Sequence, residues 1–183
     1  MPWPRGRSEG RHTAGDSAAL AAEALFARCE HPIGRFLVQM VRDRSLAEDL
    51  LQDTFHDAFR ARSQLAAAPS PEAWLFAIAR NRALSALRRR RRSVAALARL
   101  PRPREQPERD AQEVVALRDL LERHLDADER SLLLLRYLHG FDAAELAHIV
   151  GLTPEAVRQR LSRSRRKLIA ASAAPPQTTG EER

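Results

Sequence analysis

Three prolines fall within residues 101–109, PRPREQPER. Each removes a backbone N–H and fixes φ, and the residue before each is pushed away from helical angles. No regular element crosses such a stretch, so the chain divides there. On either side apolar residues recur at helical spacing, and no run alternates apolar and polar residues convincingly enough for a strand. The expected fold is all-α: two small helical domains joined by a flexible Pro/Arg-rich linker, the second a helix-turn-helix. The boundaries read as a disordered arm at 1–16, a first helical domain at 17–92, a linker at 93–112, a second helical domain at 113–171 and a disordered tail at 172–183. Within the first domain Pro32 marks an early bend, APSP at 68–71 a loop, and Pro71 the opening of the next helix.

Base outweighs acid, with 31 Lys plus Arg against 24 Asp plus Glu and a net charge of +7. That excess predicts a polyanionic partner, nucleic acid before anionic membrane. Almost all of the base is arginine, whose planar fork suits phosphate, and Lys167 is the only lysine. The single Cys29 cannot form an internal disulfide or build a zinc site, which fits a reducing compartment. It reads as a small apolar residue on a helix. The N-terminus lacks the apolar run of a signal peptide, and no stretch of ~18 apolar residues follows. The expectation is a cytoplasmic protein with no membrane insertion. No Ser/His/Asp set, phosphate loop or Gly-rich nucleotide motif appears, so no enzyme activity, catalytic residue or cofactor is expected.

Three stretches carry chemistry. The first is AEDLLQDTF, residues 47–55. On a helix, Ala47, Leu50, Leu51, Thr54, Phe55, Ala58 and Phe59 share one side. Asp49, Asp53 and Asp57 align at i, i+4, i+8 on the other, with Gln52 beside them. No base lies between these carboxylates, so they repel mildly. An acidic face on a basic chain is either a solvated surface or a dock for a basic protein partner. Asp43–Arg44–Ser45 offers capping chemistry just before it.

The second stretch is WLFAIARNRALSALRRRRR, residues 74–92. Leu75, Phe76, Ala79, Ala83, Ala86 and Leu87 form its apolar stripe. Trp74, Asn81, Ser85, Arg88 and Arg92 share the opposite face, flanked by Ile78, Arg82 and Arg89. Bases stack on aromatic rings while arginine neutralises phosphate, so this face suits single-stranded or melted DNA. The competing reading tucks Trp74 under a neighbouring loop.

The third stretch is DAAELAHIVGLTPEAVRQRLSRSRRKL, residues 142–168. Asp142 is a candidate N-cap, Gly151 ends that helix, and Thr153 caps the next, with Pro154 and Glu155 in its first turn. Helix, short turn and helix form a helix-turn-helix, with Val157, Leu161, Ser164 and Leu168 facing inward. Glu155, Gln159, Ser162 and Arg166 face outward, with Arg158 and Arg163 on the flanks, where such side chains read the major groove. DTFH (53–56) and ELAH (145–148) mimic the carboxylate–His spacing of di-iron helix bundles. They lie in different expected domains, so no metal site is expected.

The order of these motifs resembles the extracytoplasmic-function (ECF) group of the sigma-70 family, bacterial transcription initiation factors, over residues from about 20 to 170. The resemblance implies that Asp49, Leu50, Gln52 and Asp53 dock on the clamp of the largest subunit of core RNA polymerase. It implies that Trp74, Asn81, Arg82, Ser85 and Arg88 contact the −10 promoter element. It also implies that Arg158, Gln159, Ser162, Arg163 and Arg166 contact the −35 element. An anti-sigma factor is the further partner implied. Two departures stand out: Pro154–Glu155–Ala156 opens the recognition helix, and a single tryptophan stands in the melting helix. Glu155 either complements the helix dipole or accepts from a cytosine amino group. Residues 93–112 span at most ~60–70 Å at ~3.3–3.6 Å per residue, enough for elements ~50–70 Å apart. The alternative function is a stand-alone helix-turn-helix regulator that does not use polymerase.

Overall fold

The computed structural model describes residues 13–65, 68–96 and 119–173, and among these every regular element is a helix. The helices are α1 (Thr13–Val41), α2 (Arg44–Arg60), α3 (Arg62–Leu65), α4 (Pro71–Ala96), α5 (Ala127–Tyr137), α6 (Ala143–Val150) and α7 (Pro154–Ala173). A short helical segment at 119–124 precedes α5. The centre of the expected linker lies outside the described residues, as do most of the expected arm and tail. At their edges helix replaces them: α1 starts at Thr13, α4 continues to Ala96 and α7 to Ala173.

Helices α1, α2 and α4 pack on one another. Ile33, Phe36, Leu37 and Met40 of α1 are fully buried, as are Leu75, Ala79 and Ala83 of α4. Their i, i+3, i+4, i+7 spacing makes a single apolar stripe. Pro32 does not end α1, which runs through it. The helix stops instead at Arg42, whose φ of 55° is left-handed. Its N–H returns to the Val38 carbonyl at 2.9 Å, a helix C-cap made without glycine. Asp43 then caps α2 by accepting from the Leu46 N–H at 3.0 Å. Ser70 caps α4 through the Ala73 N–H at 3.3 Å, and Pro71 takes the first helical position.

The second half begins with a capping box: Asp126 accepts from the Glu129 N–H, and Glu129 accepts from the Asp126 N–H. Asp142 and Glu145 repeat the arrangement at the start of α6. Gly151, at φ 68° and ψ 40°, turns α6 into α7 as a left-handed C-cap. Thr153 Oγ1 accepts from the Ala156 N–H at 3.2 Å, which caps α7. Val157, Leu161 and Ser164 face inward from α7, and Leu168 is half-buried. Lys167 ties α7 back to Glu129 at 2.5 Å.

The two halves pack against each other. Helix α4 lies on α6, and α5 touches both α1 and α4. Phe76 of α4 meets His139 and Phe141, from the turn after α5, at ring-centroid distances of 4.8 and 4.9 Å. Arg80 of α4 is 6% exposed. Its Nε donates to Ser131 Oγ at 2.8 Å and its Nη2 to Asp128 Oδ1 at 2.5 Å. Arg42 pairs with Glu122 at 2.6 Å and Asp119 at 3.1 Å. Arg130, also buried, reaches the Met40 carbonyl at 3.3 Å. Leu125, Leu132, Leu135, Leu146, Ile149 and Val157 join the residues of α1 and α4 in one continuous core.

Candidate nucleic-acid interface

On α2 the apolar side seats the helix: Ala47, Leu50, Thr54 and Ala58 are buried. Thr54 gains access to the core because its hydroxyl donates to the Leu50 carbonyl at 2.7 Å, leaving only its methyl to pack. Phe59 does not join them. It is 58% exposed, and the Arg62 guanidinium stacks on its ring at 4.7 Å. Leu50, expected to dock on a partner, is 2% exposed and points into the core. Its side chain cannot reach a partner, because the stripe that seats α2 runs through it. Asp49, Gln52 and Asp53 do lie on the exposed side.

The acidic face is not left to repel itself. Arg82 of α4 crosses to it: Nε donates to Asp57 Oδ2 at 2.7 Å, Nη1 to Asp53 Oδ2 at 3.1 Å, and Nη2 also bonds Asp57. The Asp57 hydrogen bond, reinforced by the charge of both carboxylates, holds the Arg82 guanidinium above its usual pKa. Asp49 has no ion pair among the described residues.

The expected −10 residues separate into three groups on α4. Asn81 and Arg88 are exposed and Ser85 is half-buried between them, with Arg88 Nη2 donating to Ser85 Oγ at 3.0 Å. These three form an open edge. Trp74, two turns earlier, is half-buried. It lines a hollow of about 280 Å³ with the loop residues Ala68, Pro69 and Ser70 and with His148 of α6. The hollow sets this tryptophan beside the loop and beside a helix of the other half. Arg82 faces α2 rather than the open edge.

The five expected −35 residues come together. Arg158, Gln159, Ser162, Arg163 and Arg166 line one shallow, open hollow along α7, together with Glu155. All are exposed. Glu155 is held by its own helix: Arg158 Nη2 donates to Glu155 Oε2 at 2.8 Å. That contact and its first-turn position suit the dipole role. Such a face presents fork-shaped donors and short polar groups, the chemistry that recognises phosphate and base edges.

Arg80 escaped the sequence reading as a buried residue. Its spacing from Phe76 and Leu84 (i+4 and i−4) marks the same helix face, and was the available signal. Burial lowers its pKa and Asp128 opposes the shift, while Arg160 of α7 and Arg88 add repulsion. Among the described residues no group of three or more His, Cys, Asp or Glu is placed to hold a metal. The residues of the two di-iron look-alikes are engaged otherwise: Asp53 with Arg82, and Glu145 in the α6 capping box. No helix among the described residues is long and apolar enough to cross a membrane.

Comparison with known proteins agrees with this arrangement. Residues 25–93 match Sigma-70 region 2, and residues 115–168 match Sigma-70, region 4. The RNA polymerase sigma factor CarQ of Myxococcus xanthus is 35% identical over 157 residues, covering 84% of this chain and 90% of CarQ. The ECF RNA polymerase sigma factor SigC of Mycobacterium tuberculosis is 33% identical over 165 residues, with 87% of each chain covered. Among solved structures, the sigma factor RpoE of Bartonella quintana, in complex with the anti-sigma factor NepR, superposes with a TM-score of 0.58. The match is 26% identical and covers 88% of this chain and 98% of that one. With the acidic α2, the Arg-edged α4 and the helix-turn-helix of α6 and α7 in this order, the chain belongs to the ECF group of the sigma-70 family of RNA polymerase sigma factors.

Proposed function

We propose that this chain is a transcription initiation factor that binds core RNA polymerase and directs it to promoters. Asp49, Gln52 and Asp53 on the exposed side of α2 meet basic residues of the clamp of the largest subunit. Leu50 holds the helix in place from below. Asn81, Ser85 and Arg88 on α4 track the −10 element, with Trp74 stacking at the upstream edge of the melted bubble. Arg158, Gln159, Ser162, Arg163 and Arg166 on α7 read the −35 element in the major groove. Capturing the melted strand draws the duplex open, and no covalent step belongs to this chain. The work lies where polymerase and chromosome are, in the cytoplasm. The observation that carries the reading is the convergence of all five recognition residues on one exposed face of α7, directly after the Gly151 turn.

The packing of α4 on α6 bears on how the chain acts. Promoter elements ~1.5–2 helical turns apart lie ~50–70 Å from each other. Two DNA-reading helices joined through one core cannot reach both, so the halves must part on the promoter. Parting also opens the hollow beside Trp74, since His148 forms part of its wall. An anti-sigma factor is the proposed antagonist, supported by the NepR-bound RpoE. The test is run-off transcription with core polymerase on a promoter library. Transcripts sharing two spaced elements support the reading. Sequence-specific DNA binding with no polymerase binding supports a stand-alone regulator instead.

A further inference from the structure

Arg82 stands where the two working surfaces meet. It belongs to α4, the DNA-reading helix, yet its guanidinium is spent on Asp53 and Asp57 of α2, the polymerase-docking helix. Asp53 therefore has two claimants: Arg82 within the chain, and the basic partner that the acidic face fits. Arg82 has two as well: the carboxylates, and the phosphates of a strand bound along its neighbour Asn81 and along Ser85 and Arg88, about one and two turns on. The pair is accessible to both competitors, with Arg82 35% and Asp53 54% exposed.

We infer that Arg82 is a coupling residue that exchanges partners, held off DNA by Asp53 and Asp57 in the free chain and released when polymerase takes Asp53. The inference rests on the proposed docking role of α2. Its logic is charge balance. A basic group arriving at Asp53 repels Arg82 and removes one of its two acceptors. Arg82 then lowers its energy most by meeting phosphate. By reciprocity, DNA bound along α4 draws Arg82 away and leaves Asp53 and Asp57 more available to polymerase. The free chain thus holds single strands weakly, and the assembled one holds them better, with the packing of α2 on α4 kept.

Exposed ion pairs are individually weak, so the coupling is about two- to fivefold in affinity. The residue that exposes it is Asp57, which lies outside the proposed docking set and holds Arg82 most closely. Anisotropy with a mixed-sequence single-stranded oligonucleotide should show Asp57→Asn binding about two- to fivefold tighter than the native full-length chain. Any gain from merely deleting a negative charge would persist with Arg82→Gln in the background. Release of Arg82 would not, so the double variant should fall back to the Arg82→Gln value. Titration onto core polymerase should show Arg82→Gln docking about two- to fivefold tighter, because Asp53 is then uncovered.

A simple stitch between α2 and α4 predicts otherwise: both variants would lower the melting temperature and shift oligonucleotide binding in the same direction. That result, or an Asp57→Asn gain that survives in the Arg82→Gln background, overturns the inference. So does unchanged core affinity in Arg82→Gln. A native chain that fails to bind core polymerase at all overturns the docking role itself, and leaves the DNA arm of the test to judge whether Arg82 is withheld.

Discussion

His139 sits in the seam between the two halves, against Phe76 at 4.8 Å and Phe36 at 5.9 Å between ring centroids. Its Nε2 is buried without a hydrogen-bond partner among the described residues. Burial, with a smaller push from Arg35, lowers its pKa from 6.5 to about 4. The folded value lies below the unfolded one. The unfolded chain therefore takes up a proton that the folded chain refuses, and stability is lost as pH falls from 6.5 toward 4. At about 1.4 kcal/mol per pKa unit, moving from about pH 7 to about pH 5 removes at most about 2 kcal/mol. The ring keeps some solvent contact, so about 1–2 kcal/mol is expected, or roughly 2–8 °C in melting temperature for a chain of this size. His139→Phe keeps the aromatic packing and replaces the orphaned nitrogen with carbon. It should be as stable as the native protein or more so near neutrality, and should lose about 1–2 kcal/mol less on acidification. Thermal unfolding of both proteins at the two pH values decides it. Parallel losses in the two proteins would refute the reasoning and place the acid-sensitive group elsewhere.

Two further outcomes follow from single residues. Gly151→Ala meets no atom within 4 Å but must adopt φ 68°, so it should cost about 1–2 kcal/mol of backbone strain, read as a lower melting temperature with unchanged helicity. Arg158→Ala should weaken binding to a −35 duplex by about five- to a hundredfold if the side chain reads a base. If it meets phosphate alone, it should lower the salt dependence by about one ion.

What was legible in the sequence was local. Asp142, Gly151 and Thr153 act within a few residues of themselves, so their roles as cap, left-handed turn and cap could be read from spacing. The inward and outward faces of α7 follow from the same periodicity, and all five of its expected DNA-contact residues share one hollow. What was illegible was long-range. Arg80 meets Asp128 48 residues away, and Arg82 meets Asp57 25 residues away; neither pairing leaves a trace in the hydrophobic period. Periodicity also places Phe59 on the buried side of α2, but the helix ends at Arg60, before anything covers that ring. Leu50 shows the converse: a motif carries it as a docking residue, while burial at 2% exposure gives it a seating role. Pro32 reads as a bend, yet the apolar stripe continues through Ile33, Phe36, Leu37 and Met40, and packing of that stripe outweighs one lost hydrogen bond.

The central claim is that the acidic face of α2 is a polymerase dock, and Asp49 tests it most directly because no partner within the described chain competes for it. The measurement is the affinity of the native protein and of Asp49→Arg for purified core RNA polymerase. The account predicts saturable binding by the native protein and a loss of tenfold or more on charge reversal, about 1.4 kcal/mol or beyond. Equal binding by the two proteins would contradict it and return the α2 face to an ordinary solvated surface.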